Sequence, residues 1–407
     1  MFWEKINKHS KITTLAVGLF LALLIFAASL RHPAQNTNTI GYSSDTVKAR
    51  VHSILEEGTV PAEGEEQPYQ VVDLLILEGD HEGKQFTIDY GRQHVLARND
   101  LLTKDQEILV SVSELPDGSV FVDFVDYIRL LPLLLLTLVF VIVCVSVSGW
   151  KGISSLIGIG ISIVVIIYYI IPQILNGQNP ILISLLGSLL FLTITQYLVY
   201  GWTLKTHISL AAILISVVFT GLLAVISVEF TRLNGMGEES AMFLMQQNDQ
   251  MNLKNLLIAG IIIGALGILD DLVLGQTSTV IEMYRANPDM TLRDRYIRSM
   301  NVGKDHIAAT VNTLLLAYLG ASLSLFLMFS TSNVRFLNLV NMNFMAEEIV
   351  RTLVGTIGLF MAVPITTFLA CWVVADNDRL QKFVTVFGPL LNYSEVGCQK
   401  PAPIEYD

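Results

Sequence analysis

The chain has 407 residues, 52% of them hydrophobic and 15% charged, and its mean hydropathy is +0.57. This composition excludes an ordinary soluble domain and indicates a membrane protein that crosses the bilayer several times. The net charge is −11, and no basic surface points to a nucleic-acid partner.

Eight apolar runs are each about long enough to cross a ~30 Å hydrocarbon layer as a helix. Because lipid offers the backbone no hydrogen bonds, we expect helices rather than barrel strands. The runs cover 13–30, 130–147, 153–172, 180–200, 207–228, 255–274, 307–329 and 350–375. The first follows three lysines and is interpreted as an uncleaved signal anchor, with a cleaved signal peptide as the alternative.

The distribution of Lys and Arg predicts cytoplasmic termini and an exported segment at 32–126. Within that segment 18 acidic residues outnumber 6 basic ones. After an N-terminal helix and linker at 1–44, five short β-forming stretches at 45–126 are separated by turn residues. They predict a small all-β extracytoplasmic domain, an OB-like barrel or similar. Two roles stay open for it, a rigid solvated module and a domain that binds a partner.

The two later outer loops, 229–254 and 330–349, carry carboxylates that would form an acidic vestibule and concentrate cations. They are Glu229, Glu238, Glu239, Glu347 and Glu348. Residues 237–247 suit a short helix in the plane of the interface. Gln196 is the main interior polar side chain of its span, and we expect an interhelical hydrogen bond from it.

Asp270 and Asp271 are set inside a long apolar run. A carboxylate at that depth costs about 2.5–3.5 kcal/mol on insertion scales and marks a functional site by default. Three glycines precede Asp271 on the same helical stripe: Gly260, Gly264 and Gly267. Because glycines let another helix approach closely, we expect Asp271 to continue a packed face and Asp270 to point about 100° away.

Oxygen ligands are predicted at a similar depth on the last two spans. Asn312 and Thr313 lie on the seventh. On the eighth, Thr366 follows Pro364, which frees a backbone carbonyl. Such oxygens bind hard cations and would serve a proton relay equally.

Three interpretations of the aspartate pair stay open. It is a cation or proton site on a transport path, a structural pair that marks a helix end and binds loop cations such as Arg285 or Lys304, or a catalytic pair. The last lacks a nucleophile, a histidine metal set and a partner base. The sequence therefore predicts no enzyme and no cofactor, and leaves a metal undetermined.

The loop 276–306 is predicted to hold two helices. Residues Ser278–Ala286 form the first, and Thr291 with Asp294 starts the second as a capping box. The arginines of this loop are interpreted as topology signals, with clamps on anionic lipid headgroups as the alternative.

Four segments of the chain carry a family resemblance. They are GALGILDD, the run from Ser278 to Pro288, GKDHIAATVNTLLLAYLGASL and EEIVRTLVGTIGLFMAVPITT. Over roughly 130–375 they resemble the YibE/F-like family of bacterial integral membrane proteins. The resemblance implies a multi-pass protein of the bacterial cell membrane, with these signature positions: Asp270, Asp271, His306, Asn312, Glu348, Arg351, Gly355, Gly358 and Pro364.

The resemblance also implies that some members occur as neighbouring pairs, one of which carries an exported β-domain. A hetero-oligomer with a related membrane subunit is therefore expected alongside a homo-oligomer. The membrane domain is predicted at 127–375 and a cytoplasmic tail at 376–407, so the fold is mainly α and polytopic.

The leading functional hypothesis is a transporter or channel in the lipid bilayer for a small cation or protons. Asp270 and Asp271 would be its binding or gating carboxylates. The alternative is an envelope scaffold or sensor whose β-domain binds a partner while the membrane part is structural.

Overall fold

The computed structural model describes most of the chain between residues 45 and 390. The described ranges are 45–62, 65–92, 101–114, 119–247, 251–331, 335–375, 383–384 and 386–390. The predicted first span at 13–30 and most of the predicted tail at 376–407 lie outside the described residues. The described chain separates into two compact units, divided between Val147 and Ser148.

The first unit holds one antiparallel sheet of five strands in the order β3-β2-β1-β4-β5. The strands are β1 Asp45–Ala62, β2 Glu65–Ile76, β3 Gln85–Tyr90, β4 Glu107–Glu114 and β5 Val120–Tyr127. All five predicted strands are confirmed. Burial alternates along β4, as expected of a strand with one face on a core. The sheet curls into a half-barrel, in which the hydroxyl groups of Tyr90 and Tyr127 lie 3.0 Å apart.

The curl of this sheet arises in its central strand. β1 is 18 residues long and pairs with both β2 and β4. Two register shifts, between Val51 and Ser53 and between Ile54 and Glu56, interrupt its ladder with β2. Bulges bend a strand and increase its twist, so they account for the curl around an aliphatic core.

The rest of the described chain is mainly helical. The helices are α1 Leu130–Val165, a π-helix Ile166–Ile170, α2 Ile171–Leu175, α3 Pro180–Tyr200, α4 Leu204–Phe230, α5 Glu239–Gln247, α6 Leu253–Ala286, α7 Leu292–Ala321, α8 Leu323–Thr331, α9 Phe336–Val340 and α10 Asn343–Val373. Among the described residues, five helical runs are long and apolar enough to cross a membrane: Leu130–Leu175, α3, α4, α6 and α10. Several apolar helices of this kind are typical of a membrane protein. The predicted number of eight is not confirmed, because the first predicted span lies outside the described residues and two others share one helical run.

Two predicted spans share the run Leu130–Leu175, which has 46 residues. Gly149 interrupts the run with φ 55° and ψ −131°, a conformation that glycine adopts most readily. This interruption falls where a connection between the spans 130–147 and 153–172 was predicted. The predicted seventh span at 307–329 is divided at Ser322 into α7 and α8.

The predicted separate helix at Ser278–Ala286 is wrong, because α6 continues without interruption from Leu253 to Ala286. Gly275 does not end it, since one glycine costs a helix interior only about 1 kcal/mol. The helix stops before Asn287 and Pro288, where proline cannot continue the hydrogen-bond ladder. α6 therefore extends well beyond the predicted span 255–274.

Side-chain caps fix where four of these helices begin. Asn179 accepts a hydrogen bond from the backbone of the first turn of α3, and Asn252 does the same for α6. Thr203 caps α4 in the same way. Thr291 accepts from the backbone N–H of Asp294 at 3.1 Å, which confirms the predicted start of α7.

Helices α4, α6 and α10 pack around one apolar core. Helices α10 and α4 approach closely, since a Cβ on Gly358 would lie 2.2 Å from Thr220 Oγ1. α3 packs on α6 and on the π-helix, since a Cβ on Gly187 would lie 2.5 Å from Ile170 Cγ1. These contacts hold α3 beside the part of α6 that carries the aspartate pair.

Candidate functional site

The two aspartates lie on different sides of α6. Asp270 is half-buried, whereas Asp271 is exposed. Residues on the packed side are fully buried, among them Leu266, Leu269 and Val273. Only Asp270 therefore faces the interior of the helix bundle.

The prediction that the glycine stripe of α6 packs against another helix is wrong. The stripe lies on the open side of the helix, together with Asp271. A Cβ on Gly260 or Gly267 would meet no atom within 4 Å. One on Gly264 would meet the Tyr318 hydroxyl at 3.9 Å. Since α6 is apolar on nearly all sides, the period of its hydrophobic residues alone does not predict which face packs against other helices.

Gln196 joins α3 to the aspartate pair. Its Nε2 donates a hydrogen bond to Asp270 Oδ1, so the interhelical bond expected of Gln196 is present. The Gln196 side chain is 2% exposed, and its Oε1 has no hydrogen-bond partner among the described residues. The contact places a carboxylate and one unfilled amide oxygen together in an otherwise apolar interface.

The predicted supporting oxygens do not bind this pair. Thr366 is fully buried on α10, and its Oγ1 donates to Ala362 O at 2.6 Å. Asn312 and Thr313 are exposed on α7. Throughout the described part of the chain, no hydrogen bond connects these three residues with either aspartate.

A polar network two turns further along α6 was not anticipated. Gln276 Nε2 donates to Thr367 Oγ1 at 2.7 Å and to Ser299 O at 2.9 Å. Beside it, Ser209 Oγ donates to Thr277 Oγ1 at 3.1 Å. We call these five residues the Gln276 network. The sequence signal was available once the helix is extended past Gly275, since Thr277 lies seven residues after Asp270 and Gln276 lies seven residues after Leu269, about two turns along the same faces.

Arg295 of α7 is buried, at 1% exposure. Its guanidinium donates to the carbonyl oxygens of Val374, Pro288 and Met290 at 3.0–3.1 Å. It also lies over the Tyr284 ring, 5.0 Å from the centroid. Arg295 therefore ties the α6–α7 loop to the end of α10, and its guanidinium is not available to clamp a lipid headgroup.

Most carboxylates of the predicted acidic vestibule pair with neighbouring groups of the protein. Glu229 pairs with Lys254. Arg351 binds both Glu238 and Glu348, at 3.1 Å and 3.3 Å. These carboxylates lie beside cations and therefore have less charge left to concentrate ions.

Glu347 has a structural contact. It is 4% exposed, and its Oε1 accepts a hydrogen bond from the Gly237 backbone at 3.0 Å. Glu239, the fifth carboxylate of the predicted vestibule, is the first residue of α5. The structure thus uses Glu347 to hold the loop before α5 against the first turn of α10.

No group of three or more His, Cys, Asp or Glu side chains that could hold a metal ion occurs among the described residues. The model of the YibE/F-like protein family matches residues 136–376. The chain belongs to the YibE/F-like family. No curated protein and no solved structure gives a significant match to it. The family match covers α3, α6 and α10 of this YibE/F-like protein, and hence both aspartates and Gln196.

Proposed function

We propose that this YibE/F-like protein conducts protons or a small cation across a membrane, with Asp270 as the carboxylate that binds the ion. The observation that carries the proposal is the contact between Asp270 and Gln196 inside the bundle. A carboxylate that is partly buried in an apolar bundle needs a partner that compensates its charge. Within the described residues no Lys or Arg pairs with Asp270, and one neutral amide does not compensate the charge. A cation or a proton bound at Asp270 would compensate this charge.

Asp271 has a second role in this proposal. Its exposed side chain continues the open glycine stripe of α6, so it suits a place where ions leave or enter the site. The same open stripe supports the expected association with another copy or a related membrane subunit, because small residues favour helix contacts in lipid.

The proposed topology keeps eight crossings with both termini in the cytoplasm and the β-domain outside. At ~1.5 Å per residue the run Leu130–Leu175 is about twice as long as a bilayer core is thick, and its interruption at Gly149 supports two crossings. The β-domain is proposed to be OB-like, since its strand order brings β3 next to β5 when the sheet curls.

Flux measurements in proteoliposomes test the proposal. Purified full-length protein is reconstituted, and proton, Na⁺ and K⁺ fluxes are recorded for the wild type, Asp270→Asn and Asp271→Asn. We expect Asp270→Asn to reduce flux to the level of empty liposomes and Asp271→Asn to reduce it partly. The matched control is Glu282→Gln, an exposed carboxylate of the same helix that pairs with Arg285, and it should keep wild-type flux.

A folded Asp270→Asn protein with wild-type flux would contradict the assignment of the site. If the wild type moves none of these ions, the transport proposal fails and the scaffold or sensor alternative replaces it.

A further inference from the structure

One ridge of α3 is buried along most of the helix. Ser184, Ser188, Leu192 and Gln196 follow each other at four-residue intervals, and each is at most 3% exposed. Residues four apart form a continuous ridge on a helix. We call these four residues the α3 ridge, and its last member is the one that binds Asp270.

The two serine hydroxyls of the α3 ridge differ from other hydroxyls of the bundle in their hydrogen bonding. Thr193, on the same helix, donates to Leu189 O at 2.6 Å, and Ser216 on α4 donates to Ala212 O at 2.8 Å. Such bonds to the carbonyl four residues earlier are the usual arrangement for Ser and Thr in apolar helices. In the described structure, the hydroxyls of Ser184 and Ser188 have no hydrogen-bond partner although both are fully buried.

The ridge therefore carries three buried polar atoms without a partner, the two hydroxyls and Gln196 Oε1. A buried polar atom left unsatisfied costs about 1–3 kcal/mol. Three such atoms on one line are compatible with a stable bundle if a small polar molecule bonds to them. Water is the molecule that bonds to a hydroxyl as donor and acceptor alike.

The spacing fits a short water bridge between Ser184 and Ser188 and a dry step across Leu192, between Ser188 and Gln196. At ~1.5 Å per residue, Ser184 and Ser188 lie about 6 Å apart along the helix, and Ser188 and Gln196 about 12 Å apart. Leu192 is halfway between these last two and belongs to the main apolar core. An apolar constriction of this kind gates a pore by expelling water.

We propose that the α3 ridge is a water-lined proton path to Asp270, and that Leu192 is its apolar gate. This inference rests on the proposed function and narrows it to protons. A hard metal cation requires about six oxygen ligands, such as carboxylates, carbonyls and water. The ridge offers single oxygens about one helical turn apart, which suit a chain of water molecules rather than a coordination shell.

Thiol labelling tests the water without relying on transport. In a background with Cys144, Cys371 and Cys398 replaced, Ser184→Cys and Ser188→Cys are exposed to a small water-soluble thiosulfonate in proteoliposomes. The control is Ser216→Cys, whose native hydroxyl is equally buried but bonded. We expect the ridge cysteines to react at least about tenfold faster than the control, since the reactive thiolate forms only where water reaches. Equal rates would overturn the water path.

Proton flux tests the gate. We expect Leu192→Ala to raise proton flux several-fold, because a smaller side chain lets water bridge Ser188 and Gln196. The matched control is Ile194→Ala, which shortens a buried side chain of the same helix in a different apolar cluster, and it should leave flux unchanged. A folded Leu192→Ala protein with unchanged or lower flux would overturn the gate.

The two proposals fail separately. Flux that depends on Asp270 but not on Leu192, together with slow labelling at Ser188, would reject this path and keep the transport function. Fast labelling at Ser188 in a protein that moves no ion would confirm the water and reject transport.

Discussion

Helix α6 has two polar neighbourhoods that differ in how completely they are bonded. Toward α4 and α10 it carries the Gln276 network, in which an amide, hydroxyls and a backbone carbonyl bond to each other at 2.7–3.1 Å. Toward α3 it carries the contact between Asp270 and Gln196, whose Oε1 has no partner among the described residues. Closed networks stabilise a fold, whereas unfilled polar sites can exchange a ligand. From this difference we propose that the first neighbourhood serves stability and the second serves ion exchange.

The largest expected effect on stability lies in the packing of α4 against α10, the two helices that the Gln276 network also joins to α6. Gly358→Ala would place a Cβ about 2.2 Å from Thr220 Oγ1. Helices α4 and α10 would have to separate, and overpacking of this kind costs about 1–3 kcal/mol. Thermal unfolding in detergent should show a clearly lower midpoint. The control is Gly260→Ala on the open stripe, where a Cβ meets nothing within 4 Å, and its midpoint should not fall. Equal midpoints for the two variants would contradict the packing described for α10.

A smaller effect is expected near the start of α10, where Glu347 holds the loop before α5. Glu347→Ala removes the acceptor of the Gly237 backbone N–H, and a buried donor left unsatisfied costs about 1–3 kcal/mol. We expect faster amide hydrogen exchange at Gly237 and a modest fall in the unfolding midpoint. Glu348→Ala is the comparison, because its ion pair with Arg351 is partly exposed and is worth about 0–1 kcal/mol. Exchange at Gly237 that is the same in both variants would mean that Glu347 does not hold this loop.

Much of the architecture could be predicted from the sequence because its signals are local. The five strands follow from alternating β-forming residues between turns. The start of α7 follows from the capping box of Thr291 and Asp294. The hydrogen bond of Gln196 follows from the high cost of a lone amide in an apolar helix.

The partner of Gln196 and the packed face of α6 could not be predicted in this way. α6 is apolar around most of its circumference, so its hydrophobic period indicates no unique packed face. Glycines favour close helix contact, yet the close contacts occur at Gly187 and Gly358 rather than on the glycine stripe that ends at Asp271. Which glycine is covered depends on tertiary packing.

The role of Arg295 could not be predicted from the pattern of charged residues either. A cluster of basic residues in a loop predicts a cytoplasmic side, and the pattern does not tell one buried arginine from its exposed neighbours. The three carbonyl acceptors of Arg295 come from two separate parts of the chain. Only the folded arrangement brings them together.

The comparison between the two neighbourhoods of α6 is tested most directly by proton flux per folded molecule in Gln196→Leu and Gln276→Leu. Both substitutions replace a buried amide by an apolar side chain of similar size, in the same membrane and the same assay. We predict that Gln196→Leu loses most of its flux while its unfolding midpoint changes little. We predict that Gln276→Leu has a lower unfolding midpoint, while the molecules that remain folded keep wild-type flux. Wild-type flux in folded Gln196→Leu, with loss of flux in folded Gln276→Leu, would contradict the assignment of ion exchange to the contact between α3 and α6.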